Sequence, residues 1–155
     1  MRQPSKEGSY EEVIASDPLE ARRVQENIEA LLRSNRFEDR EIFSIRLALE
    51  EALINAIKHG NQMDRAKKVT INYGVKGDRF EILIKDEGAG FDPEDVPDCM
   101  AVENLERPCG RGLLLMKHYM TEVVFHPPGN RLAMSKIRGT PTLSTGLNGH
   151  HLSGK

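Results

Sequence analysis

From Val69 to Ile84 the apolar residues fall on every second position: Val69, Ile71, Tyr73 and Val75, then Phe80, Ile82 and Ile84, separated by Lys76-Gly77-Asp78. A period of two describes strands with one buried face, and the short glycine-containing break predicts a hairpin. A sheet that is apolar on one side must be covered, and the sequence ahead of it supplies the cover. Ser16 or Asp17 caps a helix whose first turn holds Pro18 and which runs to about Ser34, with Leu19, Val24, Ile28, Leu31 and Leu32 at helical spacing. A second helix starts near Glu38, carries the stripe Ile42, Ile45, Leu49, Ala52 or Leu53, and Ala56, and stops at Gly60-Asn61. Tyr10 to Ala15 reads as an opening strand, Leu113 to Met120 as a third helix, and Glu122 to Phe125 with Arg131 to Ile137 as a closing hairpin around Pro127-Pro128-Gly129-Asn130. Between Glu87 and Arg111 the chain turns to Gly, Pro, Asp and Glu, which predicts a long loop of the kind that serves as a functional lid. The expected fold is α+β: a two-layer sandwich with a mostly antiparallel mixed sheet covered by helices on one face. One domain is expected over residues 9–138, followed by a disordered tail over 139–155 that is rich in Gly, Ser and Thr.

Charge and composition narrow the function. The 22 basic and 24 acidic residues leave a formal charge of -2, without the clustered basic excess that a nucleic-acid surface requires, so no direct nucleic-acid partner is expected. The polar N-terminus lacks the apolar core of a signal peptide, and no apolar run is long enough for a membrane span, so a cytoplasmic protein with no membrane partner is expected. Cys99 and Cys109 are the only cysteines and have no second ligand pair; they are expected to be free thiols.

Three short stretches carry chemistry. Glu51 and Asn55 lie one helical turn apart on a common face, off the main apolar stripe. An asparagine oxygen is a hard ligand suited to Mg²⁺, and a carboxylate one turn away can take a proton from an attacking hydroxyl. An isolated pair of this kind is more often a solvated helix face; its meaning comes from the other two stretches. Asp86 stands where the second strand runs out into Gly88 and Gly90. A carboxylate there accepts from the exocyclic amine of adenine and opposes the keto oxygen of guanine, which favours ATP over GTP. Gly110-Arg111-Gly112 precedes the third helix, where free backbone N–H groups attract phosphate. No GxxxxGK[ST] or GxGxxG string is present, which excludes the two commonest alternative nucleotide sites.

Taken in order, Glu51-Ala-Leu-Ile-Asn55-Ala-Ile-Lys58-His59-Gly60, then Asp86-Glu-Gly88-Ala-Gly90, then Gly110-Arg-Gly112 resemble the asparagine box and the two glycine boxes of the GHKL, or Bergerat-fold, ATPases. The NAIKHG ending and the Arg107-Pro-Cys-Gly-Arg-Gly form of the last box are most similar to the anti-sigma-factor serine kinases. That resemblance implies Glu51 as the general base, Asn55 as the Mg²⁺ ligand and Asp86 as the adenine anchor, with Gly88 and Gly90 shaping the base pocket. It also implies phosphate or ribose contacts from Lys58 and His59, and a lid and phosphate-binding turn from Arg107, Gly110, Arg111 and Gly112. The implied activity is Mg²⁺-ATP-dependent phosphorylation of a serine or threonine on a STAS-domain antagonist, with capture of a sigma factor, by a homodimer. Where the family often has a Gly-Thr pair before the final strand, this chain has Gly129-Asn130-Arg131. The same boxes serve an ATP-gated sequestering module with little or no transfer; Glu51 favours catalysis. A histidine-kinase fragment would need a helical dimerisation segment with a phosphoacceptor histidine, for which the chain has no room.

Overall fold

The computed structural model of the chain describes residues 3–6, 8–89, 111–127 and 130–139, with the side chains of 3–6 and of Arg111 outside that set. The expected lid over most of 90–110, the residues Gly90, Arg107 and Gly110, both cysteines and the tail beyond 139 therefore lie outside the described residues. Within them the order is β1 (Gln3–Lys6), β2 (Ser9–Ala15), α1 (Pro18–Ser34), α2 (Asp39–Ile54), a π-helical turn (Asn55–Gly60), β3 (Lys68–Lys76), β4 (Arg79–Lys85), α3 (Arg111–Tyr119), β5 (Glu122–His126) and β6 (Arg131–Ile137).

The strands form one sheet in the order β1-β2-β3-β4-β6-β5, and every pairing among them is antiparallel. The expected two-layer sandwich with a mostly antiparallel sheet is present; the described strands lack the parallel pair that would make the sheet mixed. The crossover through α3 does return β5 in the direction of β4, but β6 sits between the two, so no parallel pair forms among the described residues. Register places the in-facing side chains in rows. Ile71, Ile84, Leu132 and Phe125 lie side by side, as do Tyr73, Ile82, Met134 and Val123. Most are buried, and the helices close over them through Val24, Ile28, Leu32, Ile42, Ile45, Leu49 and Leu53.

Polar side chains on the covered face are paired. Glu12 faces inward from β2, accepting from the Tyr73 hydroxyl at 2.6 Å and from Asn27 Nδ2 at 3.2 and 3.3 Å. Lys136 occupies the in-facing position after Leu132 and Met134 and donates to the Tyr119 carbonyl at 2.9 Å; burial lowers its pKa. Glu41 accepts from the Glu38 amide at 2.8 Å and from the Gly139 amide, which ties the start of α2 to the end of β6.

Asp17, rather than Ser16, caps α1: its carboxylate accepts from the Leu19 amide at 2.9 Å with Pro18 in the first turn. Ser16 instead donates to the Lys67 carbonyl at 2.8 Å. Leu19, expected on the apolar face, is 70% exposed. The face that meets the sheet runs through Ala21, Val24, Ile28 and Leu32, and at ~100° per residue Leu19 points away from it.

Two residues on α2 test this layering. Ile45 is fully buried and Phe43 is 53% exposed. In urea unfolding, Ile45→Ala is expected to cost about 2–5 kcal/mol, whereas Phe43→Ala is expected to cost no more than about 0.5 kcal/mol.

Candidate functional site

The site begins with strand parity. In β4 the inward positions are Phe80, Ile82 and Ile84, and the next residue of that parity is Asp86. Its carboxyl group is therefore carried under the helical layer, and Asp86 is only 7% exposed. The strand end is fastened to β6, since the Asp86 amide donates to the Asn130 carbonyl at 3.0 Å and Asn130 Nδ2 donates back to the Asp86 carbonyl at 3.2 Å. One carboxylate oxygen, Oδ1, accepts from the Gly88 amide at 2.7 Å. Burial pushes the Asp86 carboxyl above its ordinary value, with the Gly88 amide and the charge of Lys67 pulling the other way.

Above this carboxylate lies the end of α2. At Asn55 the helix widens into a π turn, closed by the Asn61 amide donating to the Ala56 carbonyl at 2.8 Å. Gly60 ends the turn directly against Asp86: a Cβ at Gly60 would lie 2.5 Å from the Asp86 carboxyl carbon and 2.8 Å from Oδ1. A Cβ at Gly88 would run into the Gly60 carbonyl. Two glycines are needed here because two backbones and one carboxylate share a space that no side chain can enter.

The other half of the site is one turn back along the same helix. Glu51 and Asn55 face the first turn of α3, where a Cβ on Gly112 would fall 2.5 Å from Glu51 Oε1 and 3.6 Å from Asn55 Nδ2. Sequence reading placed Arg111 and Gly112 ahead of the helix; they are its first two residues. This places the carboxylate against a helix N-terminus, where free amides carry partial positive charge. Lys58 and His59 are exposed on the π turn. The imidazole pKa of His59 is lowered, first by partial burial and then by Lys58, against the raising effect of Glu51.

The donor set can be tested against the expected ligands. Among the described residues no group of three His, Cys, Asp or Glu side chains converges, so a metal held wholly by protein ligands has no cage there. Mg²⁺ does not need one, because it keeps waters and takes phosphate oxygens beside one or two protein oxygens, one of which Asn55 can provide. For a nucleotide, Asn130 Oδ1 is a buried acceptor with no hydrogen-bond partner among the described residues, on the residue that fastens Asp86. An unmet buried acceptor costs about 1–3 kcal/mol, a deficit relieved by any ligand or water that donates to it. The residues present fit both groups.

Sequence reasoning missed Asn61, which it took only as a helix stop. Asn61 is fully buried, and its side chain donates to Ser16 Oγ at 2.9 Å and to the Lys68 carbonyl at 3.0 Å while accepting from the Glu87 amide at 2.8 Å. An asparagine after a helix-ending glycine suggests a cap; only the fold shows that it joins three segments.

Comparison with known proteins agrees with this geometry. Residues 14–136 match the model of the histidine kinase-like ATPase domain. The chain is 35% identical over 104 residues to the serine-protein kinase RsbW of Bacillus subtilis (strain 168), covering 62% of this chain and 64% of that protein. It is 33% identical over 89 residues to the protein of the same name from Bacillus licheniformis, covering 54% and 56%. The Staphylococcus aureus protein of that name is 31% identical over 104 residues, covering 62% and 65%. The matched part of the chain thus spans less than two thirds of the length of each of these relatives. A continuous family match through every described element of the site leads to one conclusion: the chain belongs to the histidine kinase-like ATPase domain family.

Proposed function

We propose that the protein is an ATP-dependent protein serine/threonine kinase and anti-sigma regulatory factor, working over a domain at 9–138, in the cytoplasm, as a homodimer. Its partners in this reading are a sigma factor and a STAS-type antagonist that receives the phosphoryl group; direct nucleic-acid and membrane partners are not part of it. The observation that carries the reading is the double close approach on one helix end, Gly112 against Glu51 and Asn55, and Gly60 with Gly88 against Asp86. Similarity to proteins named serine-protein kinase RsbW supports the kinase assignment.

Each residue has a task. Asp86 offers its second carboxylate oxygen to the adenine amine, with Gly88 holding the first. Gly90, Lys58 and His59 complete the base and sugar surroundings, and Asn55 provides the oxygen for Mg²⁺. Mg²⁺-ATP supplies the phosphoryl group and neutralises charge on its phosphates when bound. Glu51 accepts the proton of the attacking serine or threonine hydroxyl, so that the oxygen approaches phosphorus as the bond to the leaving diphosphate breaks. Gly110, Arg111 and Gly112 present amides and positive charge to the phosphates, and Arg107 in the lid offsets charge that builds during transfer. Glu51 lies in reach of α3 only because position 112 has no side chain.

The decisive experiment incubates the protein with γ-labelled ATP, Mg²⁺ and lysate of its own host beside a Glu51→Gln control, with labelled products identified by mass spectrometry. Phosphoserine or phosphothreonine on a small STAS-type protein, lost in the control, is the expected result. ATP binding without Glu51-dependent label would replace the kinase with an ATP-gated sequestering module. Glu51→Gln should keep nucleotide affinity while lowering transfer by ~10²–10⁴-fold; Asn55→Ala should lose the Mg²⁺-dependent part of ATP affinity, measured by titration with and without the metal.

Asp86 gives a pH signature. Its folded pKa is raised from 3.8, so the folded protein binds this proton more tightly than the unfolded chain does. Its contribution to stability without nucleotide is therefore fully present below the ordinary value and lost as pH rises through the raised one. ATP affinity should run the opposite way, falling as pH drops through the raised value, because the protonated acid turns a donor toward the amine. Calorimetric titration over that range is expected to show the step in the wild type and a weaker, flat affinity in Asp86→Asn.

A further inference from the structure

We propose that Asn61 is a positioning residue for base selection: it fixes the peptide after Asp86 and thereby aims the Asp86 carboxylate at the exocyclic amine. This rests on the ATP reading above and adds a residue to it. The chain of contacts is short. Asn61 Oδ1 accepts from the Glu87 amide at 2.8 Å, and the next amide, that of Gly88, holds Asp86 Oδ1 at 2.7 Å. Rotation of the Glu87 peptide would carry the Gly88 amide off the carboxylate. On the opposite side Asp86 is held by Asn130 through backbone and side chain, so the side chains of Asn61 and Asn130 grip the two ends of one peptide, the Glu87 amide and the Asp86 carbonyl.

The orientation of Asn61 is not free. Its Nδ2 already serves Ser16 Oγ and the Lys68 carbonyl, so a flip of the amide would set two acceptors against each other and two donors against each other. The Glu87 side chain adds a second tie, accepting from the Lys68 amide at 2.7 Å. Asn61 also closes the π turn through its own amide, and Gly60 lies directly against the Asp86 carboxyl. A single residue therefore sets the spacing between the helix end that bears Asn55 and the turn that bears Asp86.

The test compares ATP with purine riboside triphosphate, which lacks the exocyclic amine, by calorimetric titration of the wild type and of the Asn61→Ala, Asn61→Asp and Ser16→Ala variants, with thermal unfolding of each. The wild type is expected to prefer ATP. Asn61→Ala should lower that preference by roughly 10-fold, the scale of one hydrogen bond to a charged group, with little change in affinity for the analogue. Asn61→Asp keeps an acceptor for the Glu87 amide and should restore most of the preference, even though it unfolds earlier. Ser16→Ala removes a contact on the far side of Asn61 and should lower the unfolding temperature while leaving the preference unchanged. Parallel loss of affinity for both nucleotides in Asn61→Ala, or an unchanged ratio, would show a purely structural residue and overturn the proposal. A wild type that binds neither nucleotide overturns the ATP reading itself, and is seen before any variant is made. Should Asn61→Ala fail to fold, nitrogen-15 spectra of the wild type decide. ATP should shift the Glu87 amide and the Asn61 side-chain amide and the analogue should not; equal responses to both overturn the proposal.

Discussion

The approach of Gly60 and Gly88 over the Asp86 carboxylate is the constraint around which the rest of the site is arranged. It brings a helix end and a strand end nearer than side chains allow, and it requires the strand parity that turns Asp86 inward. Sheet and helices are thereby locked at one corner. Everything further along α2, including Glu51 and Asn55, is displaced from that corner by fixed helical steps. The distance between Asp86 and the Glu51–Asn55 pair is thus set by backbone geometry and not by mobile side chains.

A polar corner of this kind is costly unless its groups are satisfied. Asn61 is saturated through its side chain, Glu12 and Lys136 have partners, and Asp86 keeps one oxygen engaged. Against that background Asn130 Oδ1, without a partner among the described residues, stands out. The second oxygen of Asp86 and the free oxygen of Asn130 are both acceptors, which suits a ligand edge rich in donors. Stability is given up at the place where a ligand can restore it.

Much of this was legible because period and burial coincide. The alternation through Val69–Val75 and Phe80–Ile84 gave the hairpin, and continuing the second series by one step puts Asp86 on the covered face. The stripe of α2 was readable for the same reason. Leu19 was misplaced because an apolar residue in a first turn fits a helical pattern without facing the sheet. The π turn was not legible, since Asn55–Gly60 has the composition of an ordinary helix and only the wider hydrogen-bond spacing, as in Asn61 to Ala56, distinguishes it. The roles of Gly60, Asn61 and Asn130 were equally hidden, because each depends on a neighbour far away in sequence. Strand order needed the fold for the same reason: β5 as an edge strand beyond β6 leaves no mark on local pattern.

The pairing of Ala15 with Lys68 has a bearing on how the chain reaches this state. β3–β4 and β5–β6 are hairpins that close short loops, whereas β2 must find β3 across both long helices. Non-local pairing of this sort is slow because closure entropy is lost before contacts form. During synthesis from the N-terminus, α1 and α2 emerge with their apolar stripes uncovered until the β3–β4 ribbon follows them. The nascent chain therefore passes through a stage in which two amphipathic helices have no more than each other and the β1–β2 ribbon for shelter, and the β3–β4 hairpin that follows them ends it.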